Sequence, residues 1–138
     1  MESTLTFLIS RYHLLYSIYD SDKQSDFFKV KDKQLVHTVH ILEDTLVILE
    51  NLNPVHSFLI REFYKNKRSL SECVEEARTL FSQYNDYSFQ WYKKQKKFAL
   101  KKFIFLLKQH EEIDDIIAFG ENFKKTLKEE GFTYGNRR

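Results

Sequence analysis

Seven lysines and no acidic residue fall between Tyr87 and Lys108, in the stretch YSFQWYKKQKKFALKKFIFLLK. Lys93 and Lys97, then Lys97 and Lys101, stand four residues apart, so on a helix their ammonium groups repel one another across successive turns. Phosphate is the anion such an array suits, because lysines that neutralise a nucleic-acid backbone release its condensed counterions and give sequence-independent affinity. The same stretch carries Trp91, Tyr92, Phe98, Phe103 and Phe105, and rings at helical spacing are expected to wedge into the interior as a core stripe. The plain counterpart of the lysine run is a solvated face that keeps a helix in water.

Other chemistry finds less to work with. His37 and His40 share a helical face with Asp44, a spacing that suits zinc or a di-iron pair, but no second Glu-x-x-His completes a bundle site. Ordinary helix-surface histidines are the expectation, and neither a metal nor a cofactor is predicted. Glu111, Glu112, Asp114 and Asp115 spread around a helix axis rather than converge, and an acidic helix start explains them through the dipole. His110 beside them reads as a boundary residue rather than a base. Cys73 sits among Leu70, Val74 and Ala77, where a small buried hydrophobe is the expected role. The glycines, at 120, 131 and 135, match no phosphate-cradling loop, and the arginine–histidine spacing of helical HEPN nucleases is missing. Catalytic residues are therefore not assigned, and an enzyme is not expected.

With 138 residues, 42% of them hydrophobic and 16% aromatic, the chain is long enough for one substantial core. Net charge is only +2, yet the charge is segregated: −3 over residues 1–60, +3 over 61–68, −3 over 69–86, +7 over 87–108, −5 over 109–122 and +3 beyond. Two basic blocks thus flank an acidic one, a pattern that places them on separate faces of a folded object. A lone cysteine supplies no disulfide framework, so the expected compartment is the reducing cytoplasm. The N-terminal segment carries Glu2 in place of a basic leader and is interrupted by Arg11 and His13, so neither a signal peptide nor a membrane span is expected.

The scarcity of glycine and the single Pro54 favour long helices, and the fold expected is an all-α bundle of five or six helices over residues 1–130, with a flexible tail at 131–138. The first helix is predicted over about Ser3 to Tyr19, burying Leu5, Leu8, Ile9, Tyr12, Leu15, Tyr16 and Tyr19, followed by a polar break at 20–26. A second runs from about Lys31 to Leu52, burying Leu35, Val39, Leu42, Leu46 and Leu49. Asn53 before Pro54 then caps a third that reaches about Asn66 and buries Phe58, Leu59 and Phe63. Ser69 and Glu72 form a capping box for a fourth, residues 82–87 break the chain, Ser88 caps the basic helix, and a sixth helix spans about Glu112 to Lys128 with Ile113, Ile116, Ile117, Phe119, Phe123 and Leu127 inward. Residues 1 to 40 fit either the same core or a separate interaction arm.

Between Leu42 and Phe103, Arg61 and Tyr64 close one helix, a short helix and a serine-bearing turn follow, and Tyr92, Lys93, Lys94, Lys96, Lys97, Ala99 and Leu100 open the next. This order resembles the sigma-factor region-four type of helix-turn-helix and, more closely, the ArpU/RinA-like phage late-gene transcription regulators. The resemblance implies a divergent helix-turn-helix whose basic helix lies in the major groove. Gln90, Trp91, Lys93, Lys94 and Lys97, with Lys101 one turn on, would then meet bases and phosphates, while Arg61, Lys65, Lys67 and Arg68 touch flanking backbone. Gln90 alone suits bidentate base reading. The function expected on this basis is a DNA-binding transcription regulator, phage or prophage encoded, with DNA and RNA polymerase or another protein as partners and a homodimer as one option. The alternative is a helical interaction module, an inhibitor or adaptor with no nucleic-acid role, whose lysine face meets an acidic protein.

Overall fold

Three polar side chains mark where helices begin. In the computed structural model, which describes residues 1–24 and 33–129, the Asn53 side chain accepts from the His56 amide, Ser69 from Glu72 and Ser88 from Trp91. At Ser69 the reciprocal bond is present too, since the Glu72 carboxylate accepts from the Ser69 amide at 3.0 Å. Each cap satisfies amides that a helix start leaves without intrahelical partners and contributes about 1 kcal/mol. The helices that follow are α4 (Pro54–Ile60), α5 (Leu70–Leu80) and α6 (Phe89–Lys108). Before them run α1 (Glu2–Ser10), α2 (Tyr12–Gln24) and α3 (Lys33–Leu52), and the last is α7 (Ile113–Glu129). No strand occurs among the described residues.

Among the described residues seven α-helices thus replace the five or six expected, and the extra one comes from a break inside the first. At Arg11 the amide is shared between the Phe7 and Leu8 carbonyls, while the Ser10 hydroxyl also donates to Phe7. A side chain that competes for a helix carbonyl, together with a tightened last turn, ends α1 there, and α2 begins at Tyr12. That second helix then continues to Gln24, through the first part of the polar segment expected to be a break. The remainder of that segment, the expected helix start at Lys31 and the expected flexible tail at 131–138 lie outside the described residues.

A second departure follows α4, where the backbone widens into a π-helical turn over Arg61–Lys65 and closes with Lys67 in the left-handed region at φ 55°. The Asn66 amide reaches back to the Arg61 carbonyl and the Arg68 amide to that of Glu62. These bonds end the helix one residue wider than the usual left-handed cap. Phe63 and Tyr64, edge to face at 4.9 Å, serve different apolar clusters at this point.

The first cluster gathers Leu5, Leu8, Ile9, Tyr12 and Leu15 from α1 and α2, all five expected apolar positions of α3, Phe103 and Leu107 from α6, and Ile116 and Phe119 from α7. Helices α1 and α2 therefore enter this core through residues between Leu5 and Tyr19. The second cluster is smaller: Val55, Phe58 and Leu59 of α4, Cys73, Val74 and Ala77 of α5, and Tyr92 of α6. Helix α6 is common to both. Close approach of α1 to α7 depends on Gly120, where an added Cβ would stand 2.6 Å from the Thr4 methyl and 3.0 Å from Leu8. No described helix is long and apolar enough to cross a membrane.

Candidate nucleic-acid interface

The start of α6 is fixed by rings. Trp91 stacks on Tyr84 at 5.1 Å and meets Tyr87 and Tyr92 edge to face, at 4.5 and 4.9 Å. The buried Tyr92 hydroxyl donates to the Tyr84 carbonyl at 2.7 Å, and burial raises its pKa. Arg78 ties the connector down by donating to the Tyr87 carbonyl at 2.9 Å, and its guanidinium lies over the Tyr92 ring. Further along the inner side, Gln95 pairs with His56 at 2.7 Å. The Lys96 ammonium sits 4.1 Å above the Phe63 ring, and burial, followed by the charge of Lys97, holds its pKa below the ordinary lysine value.

With the inner side so occupied, Gln90, Lys93, Lys94 and Lys97 line one shallow recess of about 380 Å³, and Lys101 continues their line one turn on. All five are exposed. None of the four lysines pairs with a carboxylate among the described residues, so their mutual repulsion is uncompensated there. By contrast Lys108, at the end of the same helix, donates to Glu2 at 2.9 Å.

The other basic block is arranged differently. Arg61 donates to Glu50 and to Ser57, both at 3.3 Å. Lys65 bonds Glu43 at 2.9 Å and lies 4.2 Å over the Tyr16 ring, while Arg68 bridges Glu62, at 3.0 Å, and Glu76. These three side chains lace the π-helical turn to α2, α3 and α5. Lys67 remains exposed, but it lines a separate recess with Ser10, Phe63, Tyr64, Arg68 and Ser69. The structure therefore brings together the residues expected on the basic helix and commits three of the four expected flanking ones to carboxylates.

The aromatic stripe also divides. Tyr92 and Phe103 are buried and Trp91 is half-buried, but Phe98 and Phe105 are 46% and 53% exposed, a correction to the expectation that all the rings face inward. The signal was in the spacing: Phe98 and Phe105 follow Lys94 and Lys101 at four residues, which places them on the cationic side.

The remaining candidate groups serve the fold. His37 pairs with Glu112 on the segment before α7, and His40 meets the Tyr19 hydroxyl at 3.2 Å, so the two histidines diverge. Among the described residues no three His, Cys, Asp or Glu side chains converge as metal ligands would. Cys73 is fully buried, which pushes its thiol up to about 11. No protein-family model, no curated protein and no solved structure matches this chain.

Proposed function

We propose that this protein binds nucleic acid through the outward face of α6, as the DNA-contacting part of a transcription regulator. The observation that supports this reading is the contrast between the two basic blocks: Arg61, Lys65 and Arg68 have carboxylate partners, whereas Lys93, Lys94, Lys97 and Lys101 have none among the described residues. Phosphates drawn to the four lysines would relieve a repulsion that the fold leaves standing. The connector between α5 and α6 runs from Phe81 to Ser88, longer than the three to four residues of a compact helix-turn-helix. That length favours contact along the phosphate backbone over a tightly turned groove insertion, with Gln90 the residue best suited to reading a base edge.

Anisotropy titration of a random-sequence duplex at several salt concentrations tests the reading. About four phosphate contacts give a log–log slope near −3.6, so affinity falls about 10²-fold between 50 and 200 mM salt. Replacing Lys93, Lys94 and Lys97 together by Gln brings the slope close to −1. Absence of binding at low salt, or a slope unmoved by that triple substitution, refutes the proposal.

A protein partner is the second reading, favoured by Val47, Ile48 and Leu52, which stand 59%, 50% and 58% exposed toward the end of α3. Association through that patch, with a second copy or another protein, would persist at high salt, and Ile48→Glu would abolish it.

A further inference from the structure

Lys94, Phe98, Lys101 and Phe105 succeed one another at steps of four, three and four residues, so they form one line along α6 in which cations and rings alternate. Both rings are about half exposed, and Lys102 stands beside the line with its ammonium 5.3 Å over the Phe105 ring. A helix rise of 1.5 Å per residue sets the two rings, and likewise Lys94 and Lys101, about 10.5 Å apart. That is about three nucleotides of a stacked strand at 3.4 Å each.

Phosphate contact explains the lysines and leaves the rings unexplained. A paired duplex offers the rings nothing, since its bases are stacked on one another behind the backbone. An unpaired strand offers both requirements at once, phosphates for the ammonium groups and open base faces for the phenyl rings. An anionic lipid surface suits a broad apolar face with lysines at its rim, whereas here the rings are isolated between charges.

We propose that this face of α6 binds single-stranded nucleic acid, with phosphates on Lys94, Lys97 and Lys101 and bases stacked on Phe98 and Phe105. The inference rests on the phosphate-binding reading above and adds to it the state of the strand. Because both rings are solvent-facing, their removal leaves the apolar clusters intact, and Phe98→Tyr retains a stacking surface.

The test uses the full chain and three targets at one low salt concentration: a labelled oligo(dT) strand, a random-sequence duplex of equal length, and phosphatidylserine-containing vesicles. The readout is the ratio of single-strand to duplex affinity. The expected result is a ratio above about ten that falls about tenfold for each of Phe98→Ala and Phe105→Ala and is restored by Phe98→Tyr, with unchanged melting temperatures. A ratio near one that neither alanine substitution moves overturns the stacking proposal and leaves the phosphate reading standing. Loss of binding to both nucleic acids overturns the two together. Ring-dependent binding to vesicles without single-strand preference overturns it in favour of a membrane surface.

Discussion

Replacing Lys65 by Gln separates the two uses that this chain makes of lysine. The Lys65 side chain is 15% exposed and its partner Glu43 33% exposed, so the pair is partly desolvated and stronger than a surface ion pair, yet short of a fully buried one. Glu43 also accepts from the Tyr12 hydroxyl, whose pKa is raised by burial first and by this carboxylate second. Removing the ammonium deletes a charge-assisted hydrogen bond of about 2 kcal/mol and a cation–π contact with Tyr16 of about 0.5 kcal/mol. Solvent access to Glu43 and the amide left by Gln return part of that, for a net loss of about 2 kcal/mol. In a chain of this length the loss lowers the melting temperature by about 6–10 °C. The salt slope of duplex binding should stay where it was, because Lys65 has its counter-charge within the molecule. Calorimetric melting and anisotropy on the same preparation check both halves. A normal melting temperature with a slope shallower by about one would show Lys65 to be a phosphate ligand and would refute the division between paired and unpaired lysines.

Gly120→Ala is expected to destabilise by about 1 kcal/mol, since overpacking against Thr4 and Leu8 outweighs the gain in helix propensity. Adding Thr4→Ser, which removes the nearest methyl, should recover most of the loss in chemical denaturation. Ser69→Ala should cost about 1 kcal/mol by breaking the capping box, measured as a shift in denaturation midpoint. Ser69 also holds the Glu72 carboxyl below its ordinary pKa, through the backbone amide first and the hydroxyl second, so that contribution is present above the ordinary carboxylate range and is lost as pH falls through the lowered pKa. Wild-type stability should therefore fall more steeply with acid than that of Glu72→Gln. Cys73 should resist a water-soluble thiol reagent at pH 8 in the native state and react on unfolding; its raised pKa adds stability that is present below about pH 9 and declines as pH climbs toward 11.

What the sequence disclosed was mostly local. Asn53, Ser69 and Ser88 cap because a side chain and an amide three residues on are brought together by the first turn itself, with no help from the rest of the fold. The apolar positions of α3 were legible for a similar reason, because one helical period orients them all. The break at Arg11 and the widened turn at Arg61–Lys65 were not, since a serine hydroxyl that folds back on its own helix and a lysine in the left-handed region leave no mark in the apolar period. The same holds for the basic block at 61–68: the partners of Arg61 and Lys65 lie 11 and 22 residues away, and net charge by segment carries no record of such pairing. Helical period told that Phe98 and Phe105 share a side with lysines. The number of rings led the other way, because a tally of aromatics does not distinguish filled positions from bare ones.

Because α6 contributes Tyr92 to one apolar cluster and Phe103 to the other, neither end of it frays without loosening a separate part of the molecule. Its outer lysines are thus mounted on a stiff keel, with the backbone disorder of the array removed at folding rather than at encounter. A polyanion docking there meets charges already in register, and tight binding should tie the melting of both halves of the protein into one transition.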